Sequence, residues 1–316
     1  MKILVTGGCG YKGSVLIPKL LKLNHKVISL DTQWFGNHLQ KHRNLRNIKF
    51  DIKNIENFDF KNIDIIIHLA SIANDNMFEL DKNLSWETSS LATYQLLEKA
   101  VKAKVKRFIY ASSGSVYGIK KEKNVTENLS LKPISLYNKV KMCTERIILS
   151  YKDKIETFII RPATVCGYSP RMRFDVSVNA LTISGLTKNK ITVHGGSQIR
   201  PNIHIDDMTD LYIFLLKVNK KFCGVYNAGF ENTSIKKTSQ LISNNLNCKV
   251  EIKKNFSDPR SYRLDSSKLL KIGFKPKKKI SNAIEEIIEM YEKGILEDKP
   301  AHHSILWLKK ILKNKN

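Results

Sequence analysis

The sequence predicts an α/β protein, a doubly wound parallel sheet with a smaller C-terminal lobe. Three observations predict it. Short apolar, strand-like runs alternate with helical stretches through the first half. A glycine-rich turn joins the first run directly to an apolar helix. The second half loses that regularity, and glycines and prolines gather at 167–170, 195–201 and 258–259. In order, the strand runs are residues 2–6, 26–30, 63–69, 107–112 and 157–161, with helices over 84–103 and 136–151. Such alternation requires crossover connections and a sheet covered on both faces. A final helix over about 280–293 follows Lys275-Pro276. The expected division is a nucleotide-binding core from 1–165 with 199–228, and a substrate lobe from 166–198 with 229–316.

Composition narrows the class of protein. Hydrophobic residues make up 42% of the 316, enough for a sizeable core. The net charge of +25 comes from lysines scattered along the chain, without an aromatic-interleaved stripe. That pattern describes solvated faces and excludes nucleic acid as the expected partner, while a positive field favours an anionic small substrate. Five cysteines, odd in number and without close pairs, argue against a disulfide framework or a zinc site and suit a reducing compartment. The N-terminus runs straight into Ile3-Leu4-Val5 and glycines, unlike a signal peptide, and no apolar stretch approaches a membrane span. The expected location is cytoplasmic, with no membrane partner.

Residues 2–6 lead into Gly7-Gly8-Cys9-Gly10-Tyr11-Lys12-Gly13 and then the apolar Val15, Leu16 and Ile17. A dinucleotide pyrophosphate needs bare backbone amides at a helix N-terminus, and glycines keep side chains out of its approach. The backbone of Gly7, Gly10, Tyr11, Lys12 and Gly13 is the expected cradle. The next strand ends at Asp31, placed to accept hydrogen bonds from an adenosine ribose. A carboxylate there repels a 2′-phosphate, so the expected cofactor is NAD. Asp51-Ile52 offers a partner for the adenine amino group, or else an ordinary turn. Leu69, Ala70 and Ser71 end the run 63–69, where backbone faces the cofactor in such a sheet; His68 before them reads as a satisfied core residue. Pro18 lies inside the expected helix, as a first-turn proline or a slight kink.

Ser112-Ser113 ends the run 107–112, and Tyr137 and Lys141 lie four apart on one helical face. A phenol with pKa near ~10 is a poor base at neutral pH. An adjacent ammonium and a cationic nicotinamide favour the phenolate; a shift of about 3 units requires roughly 4 kcal/mol. Tyr137 then removes an alcohol proton as hydride departs, and Ser113 holds the same oxygen.

These motifs resemble the extended short-chain dehydrogenase/reductases, the NAD-dependent epimerase/dehydratase family. The resemblance runs over nearly the whole chain: the glycine fingerprint from Gly7, Asp31, His68-Leu69-Ala70, Ser112-Ser113, Val116-Tyr117-Gly118, Tyr137 with Lys141, Arg161-Pro162, Arg200 to His204, and Arg260 with Asp265 to Lys268. It implies a Rossmann core with a small substrate lobe and a homodimer. It places Ser113, Tyr137 and Lys141 in catalysis, and Ser112 and Arg161 beside the cofactor. Asn74, Asn179, Arg200 and Arg260 go with Ser113 to the substrate, a nucleotide-activated sugar. Arg171 and Arg173 add phosphate or sugar contacts, since a planar guanidinium suits phosphate oxygens. The stretch 161–179 is also similar to a subgroup that handles nucleotide-linked sugars for surface polysaccharides.

Departures sharpen the expectation. The family's 4,6-dehydratases carry Asp-Glu after the catalytic Ser/Thr, and here Gly114 and Ser115 stand there. Lys12 occupies a usually apolar position, Cys166 a frequent tyrosine and Ser89 a usual asparagine. The polar segment 74–79 reads either as a specificity element over the sugar or as a solvated loop. The leading expectation is a nucleotide-sugar epimerase that transiently oxidises the C4 hydroxyl to a ketone. A 4-dehydrogenase or reductase releasing the keto product is the alternative, ahead of a 4,6-dehydratase. A non-catalytic nucleotide sensor or RNA-binding relative comes last, because Tyr137 and Lys141 are both present.

Overall fold

The computed structural model describes residues 1–253 and 261–314. The chain runs β1 (Lys2–Thr6), α1 (Gly13–Lys22), β2 (Lys26–Asp31), β3 (Leu45–Lys49), β4 (Ile65–His68), α2 (Asp75–Leu80) and α3 (Lys82–Trp86). Then come α4 (Ala92–Lys102), β5 (Arg107–Ala111), α5 (Leu136–Leu149), β6 (Glu156–Pro162), β7 (Thr164–Cys166) and α6 (Ser177–Lys188). The rest comprises β8 (Lys190–His194), β9 (Ile199–His204), α7 (Ile205–Leu215), β10 (Gly224–Ala228), β11 (Glu231–Ser234), α8 (Ile235–Leu246), β12 (Lys249–Lys253), α9 (Ser267–Lys271), α10 (Ile280–Glu292) and α11 (Ser304–Lys313).

Seven strands form one parallel sheet in the order β10-β6-β5-β4-β1-β2-β3. Its middle strands are buried on both faces, which explains why β1 and β5 read as continuous apolar runs rather than alternating ones. One face packs Leu16, Ile17 and Leu20 of α1 and Leu211 and Leu215 of α7; the other packs Leu96, Leu97 and Ala100 of α4 and Ile148 of α5. Each such aliphatic side chain contributes about 1.5–3 kcal/mol of burial. Strand order reverses between β1 and β4, and in an open α/β sheet ligands bind in the crevice at that reversal. Outside the large sheet, β11-β9-β7 and β12-β8 form two small sheets. Segment 199–228 therefore supplies β9 to a small sheet, α7 to the cover beside α1, and β10 to the large sheet.

Several elements differ from expectation. The helix expected over 84–103 is interrupted by a π-helical turn, Glu87–Leu91, which presents Ser89 to Ser71 and Ile72. Pro18 is the sixth residue of α1, past its first turn and on the exposed side, where its ring removes the bond to the Ser14 carbonyl. Segment 74–79 is not a loop, though Asn76 and Glu79 are exposed. It is α2, capped by Asn74, with Met77 and Phe78 buried. Helix α10 is not the last, since α11 follows it. All five cysteines are free thiols. Among the described residues no helix is long and apolar enough to cross a membrane.

Candidate active site

A cavity of about 380 Å³ opens at the strand-order reversal. Its floor is the glycine turn. Gly7 has φ +71, and a Cβ added there would lie 2.7 Å from the amide nitrogen of Ala70. A Cβ on Gly13 would lie 2.4 Å from the carbonyl oxygen of Gly8. Only glycines allow the turn to close this tightly and leave bare amides at the start of α1. Asp31 reaches the same cavity from the end of β2 and accepts hydrogen bonds from the amides of Cys9 (3.0 Å) and Gln33 (2.7 Å). Burial raises its carboxyl pKa, and those two bonds oppose the rise. Asp51, Ile52, Leu69, Ala70 and Ser71 also line the cavity, as do Gly10, Tyr11 and Lys12. The cradle and the acid facing it fit a dinucleotide. Gly7→Ala is expected to weaken NAD binding at least ~10-fold, because an alanine at this φ costs on the order of 1–2 kcal/mol and its methyl strikes backbone. Titration calorimetry with NAD checks this.

The same cavity takes in Ser112, Ser113, Tyr137 and Lys141. Ser113 caps the short turn after β5, accepting from the Ser115 amide at 3.2 Å. Tyr137 sits in the first turn of α5, whose N-cap Ser135 accepts from the Asn138 amide. The Phe78 ring packs edge-on against Tyr137, centroids 5.6 Å apart. Lys141 donates to the Ala111 carbonyl at 2.9 Å, with its nitrogen 4.8 Å from the Tyr110 ring centroid and 6.0 Å from that of Tyr137.

The electrostatics depart from the simple phenol–ammonium picture. Burial raises the Tyr137 pKa; a hydrogen bond to Ser113 and the charge of Arg173 pull it down, while Asp75 adds to the rise. Lys141 is itself lowered to about 7, by burial and by Lys12, against the pull of Glu145. Arg173, held by Asp175 at 2.5 Å, is a second cation that favours the phenolate, beside Lys141. Asp175 also accepts from Asn74 (2.7 Å) and Ser304 (2.9 Å), and with Arg173 alongside its pKa falls to about 2.

Two residues expected at ligands lie elsewhere. Arg161 is 5% exposed and is not in the lining of this cavity; it chelates Glu145 with Nε and Nη2 and donates to the Tyr117 hydroxyl at 2.8 Å. Glu145 accepts from the Ser112 hydroxyl, so Arg161 stands behind the cavity wall. Asn179 is fully buried, its amide shared among Gly167 N, the Tyr11 hydroxyl and the Arg173 carbonyl, and it ties the loop after β7. His68 is likewise occupied, between Thr6 (2.6 Å) and Thr93 (2.8 Å), and burial drops its pKa to about 3. Arg200 lines an adjoining cavity of about 310 Å³ that shares Asp75, Ser115, Thr164, Val176 and Tyr262 with the first. Arg260 lies outside the described residues.

Trp34, Phe35 and Ser304 are cavity residues that sequence reasoning missed. Two aromatics directly after the ribose acid, and the apolar spacing Ile305, Leu308, Leu312, were the available signals. Arg171 joins them: its guanidinium lies 4.1 Å from the Phe35 ring centroid and donates to Ser304 at 3.0 Å. The trio His204, Asp206 and Glu286 gathers possible ligand atoms, but Lys19 and Lys278 already pair the two carboxylates.

Residues 3–229 match the model of the NAD dependent epimerase/dehydratase family. A putative UDP-glucose 4-epimerase of Methanocaldococcus jannaschii is 27% identical over 299 residues, 90% of this chain and 97% of that protein. A dTDP-D-glucose 4,6-dehydratase of Dictyostelium discoideum is 30% identical over 269 residues, 77% of this chain and 62% of that protein. The crystal structure of UDP-glucuronic acid 4-epimerase from Bacillus cereus, in complex with UDP-glucuronic acid and NAD, superposes with a TM-score of 0.81 at 27% identity, covering 93% of this chain and 99% of that one.

Proposed function

The chain belongs to the NAD dependent epimerase/dehydratase family, and from that premise we propose that it is a nucleotide-sugar epimerase working through transient oxidation of the C4 hydroxyl. It is an NAD-dependent enzyme. The observation that carries the reading is one cavity holding the glycine cradle, Asp31, Ser113, Tyr137 and Lys141 together, with Gly114 and Ser115 where a dehydratase keeps its acid and base.

Bound NAD supplies the hydride acceptor and returns the hydride. Tyr137 takes the hydroxyl proton and later gives it back, and Ser113 holds that oxygen within reach of the phenol. Arg173 favours the phenolate, and Asp75 opposes it. The adjoining cavity beside Arg200 and Tyr262 has room for part of the nucleotide half of the substrate, with the Arg200 guanidinium as a phosphate partner. Core and lobe would then divide the work along the boundaries expected from the sequence. Two copies belong to the same reading, with Trp86, Leu91 and Tyr94 exposed along one helical run.

Incubation with UDP-, GDP-, CDP- and dTDP-sugars deuterated at C4 tests it. Label retained in an inverted product is the expected result. Label lost to released NADH makes the enzyme a net dehydrogenase, and a 6-deoxy product makes it a dehydratase.

A further inference from the structure

Lys12 stands between Gly10 and Gly13 on the glycine turn, lining the main cavity. Its ammonium reaches the Tyr212 hydroxyl only at 3.4 Å, and lies 5.9 Å from that ring's centroid. Three N–H donors therefore meet one distant acceptor. Among the described residues no carboxylate forms an ion pair with it. The charged groups that face it are Lys141 of α5 and Arg173 of the loop after β7, both cations. Arg173 has Asp175, and Lys141 has the Ala111 carbonyl. Among the described residues Lys12 has neither a counter-charge nor a close acceptor. A partly buried ammonium costs free energy unless something anionic completes it.

We infer that the Lys12 ammonium is a ligand of the dinucleotide's pyrophosphate, completing a neutralisation that the turn amides only begin. A helix N-terminus offers on the order of half an elementary charge, against about two on the diphosphate. This rests on the dinucleotide reading of the cavity and extends it to a side chain.

The inference makes binding proton-linked. Burial and Arg173 hold the Lys12 pKa at about 8 in the empty site. A bound anion raises it, so binding takes up protons where the empty site is partly deprotonated. Uptake should reach about half a proton near pH 8 and vanish near pH 6. Calorimetry in two buffers of different ionisation enthalpy reads it directly. ADP-ribose is the probe beside NAD, because it carries the diphosphate without the nicotinamide cation.

Lys12→Met should weaken both ligands about 10- to 100-fold and remove most of the uptake. Lys12→Arg should restore affinity without uptake, because guanidinium stays charged throughout. Thermal melting of the ligand-free Met variant, at or above wild type, would show an intact fold. Affinity and uptake unchanged in Lys12→Met would overturn the inference, as would a loss confined to NAD. If the wild-type protein bound neither ligand, the dinucleotide reading itself would fail.

Discussion

Tyr137→Phe is expected to lower turnover by roughly 10²–10⁴-fold while leaving NAD and nucleotide-sugar affinity within a few-fold of wild type. The substitution removes one oxygen. The ring keeps its edge-on contact with Phe78, so the wall of the cavity stays in place. What disappears is the hydroxyl proposed to take the substrate proton while Ser113 steadies the same oxygen. General acid–base catalysis by one positioned side chain is worth about that factor. A change in kcat without a matching change in KM or NAD affinity assigns the loss to chemistry. Undiminished turnover would remove Tyr137 from the mechanism, and the epimerase reading with it.

Arg161→Met should be the most damaging single change to stability, at about 3–5 kcal/mol, because it strands a buried carboxylate. Arg161 and Glu145 are 5% and 1% exposed, and Arg161 also meets the Tyr117 hydroxyl, which donates onward to Asn227 at 2.8 Å. Removing the guanidinium leaves Glu145 without its cation, and with it the hydrogen bond that fixes Ser112 at the cofactor wall. Urea denaturation checks the prediction through a large fall in midpoint. Pairing the change with Glu145→Leu should recover part of the loss, since an apolar pair of similar volume carries no desolvation cost. A variant of normal stability but poor NAD binding would instead return Arg161 to the cofactor.

How much of this was legible beforehand depends on the range of the interaction that decides each feature. The parallel sheet, the glycine turn, Asp31 and the Tyr137–Lys141 spacing are set by residues close in sequence, and their periodicities were readable. The partners of Arg161 and Asn179 are not legible in the sequence, because each side chain is held by a residue distant along the chain: Glu145 for one, Tyr11 for the other. Arg173 had been placed at phosphate or sugar, and its effect on Tyr137 is visible only once the loop after β7 folds back over α5. The π-helical turn left no mark in the apolar pattern, since one extra residue shifts the phase without changing composition. Helix α11 carries a clear helical spacing in Ile305, Leu308 and Leu312.

The contact between α11 and the segment after β2 has an optical consequence. Trp307 donates its indole N–H to the Trp34 carbonyl at 2.7 Å, and Trp34 borders the cavity, while the remaining tryptophan, Trp86, stands exposed. Reduced nicotinamide absorbs where indole emits. With NAD in that cavity, as proposed, the enzyme would carry its own lamp beside the cofactor, and the colour of its light would follow hydride arriving and leaving without any added dye.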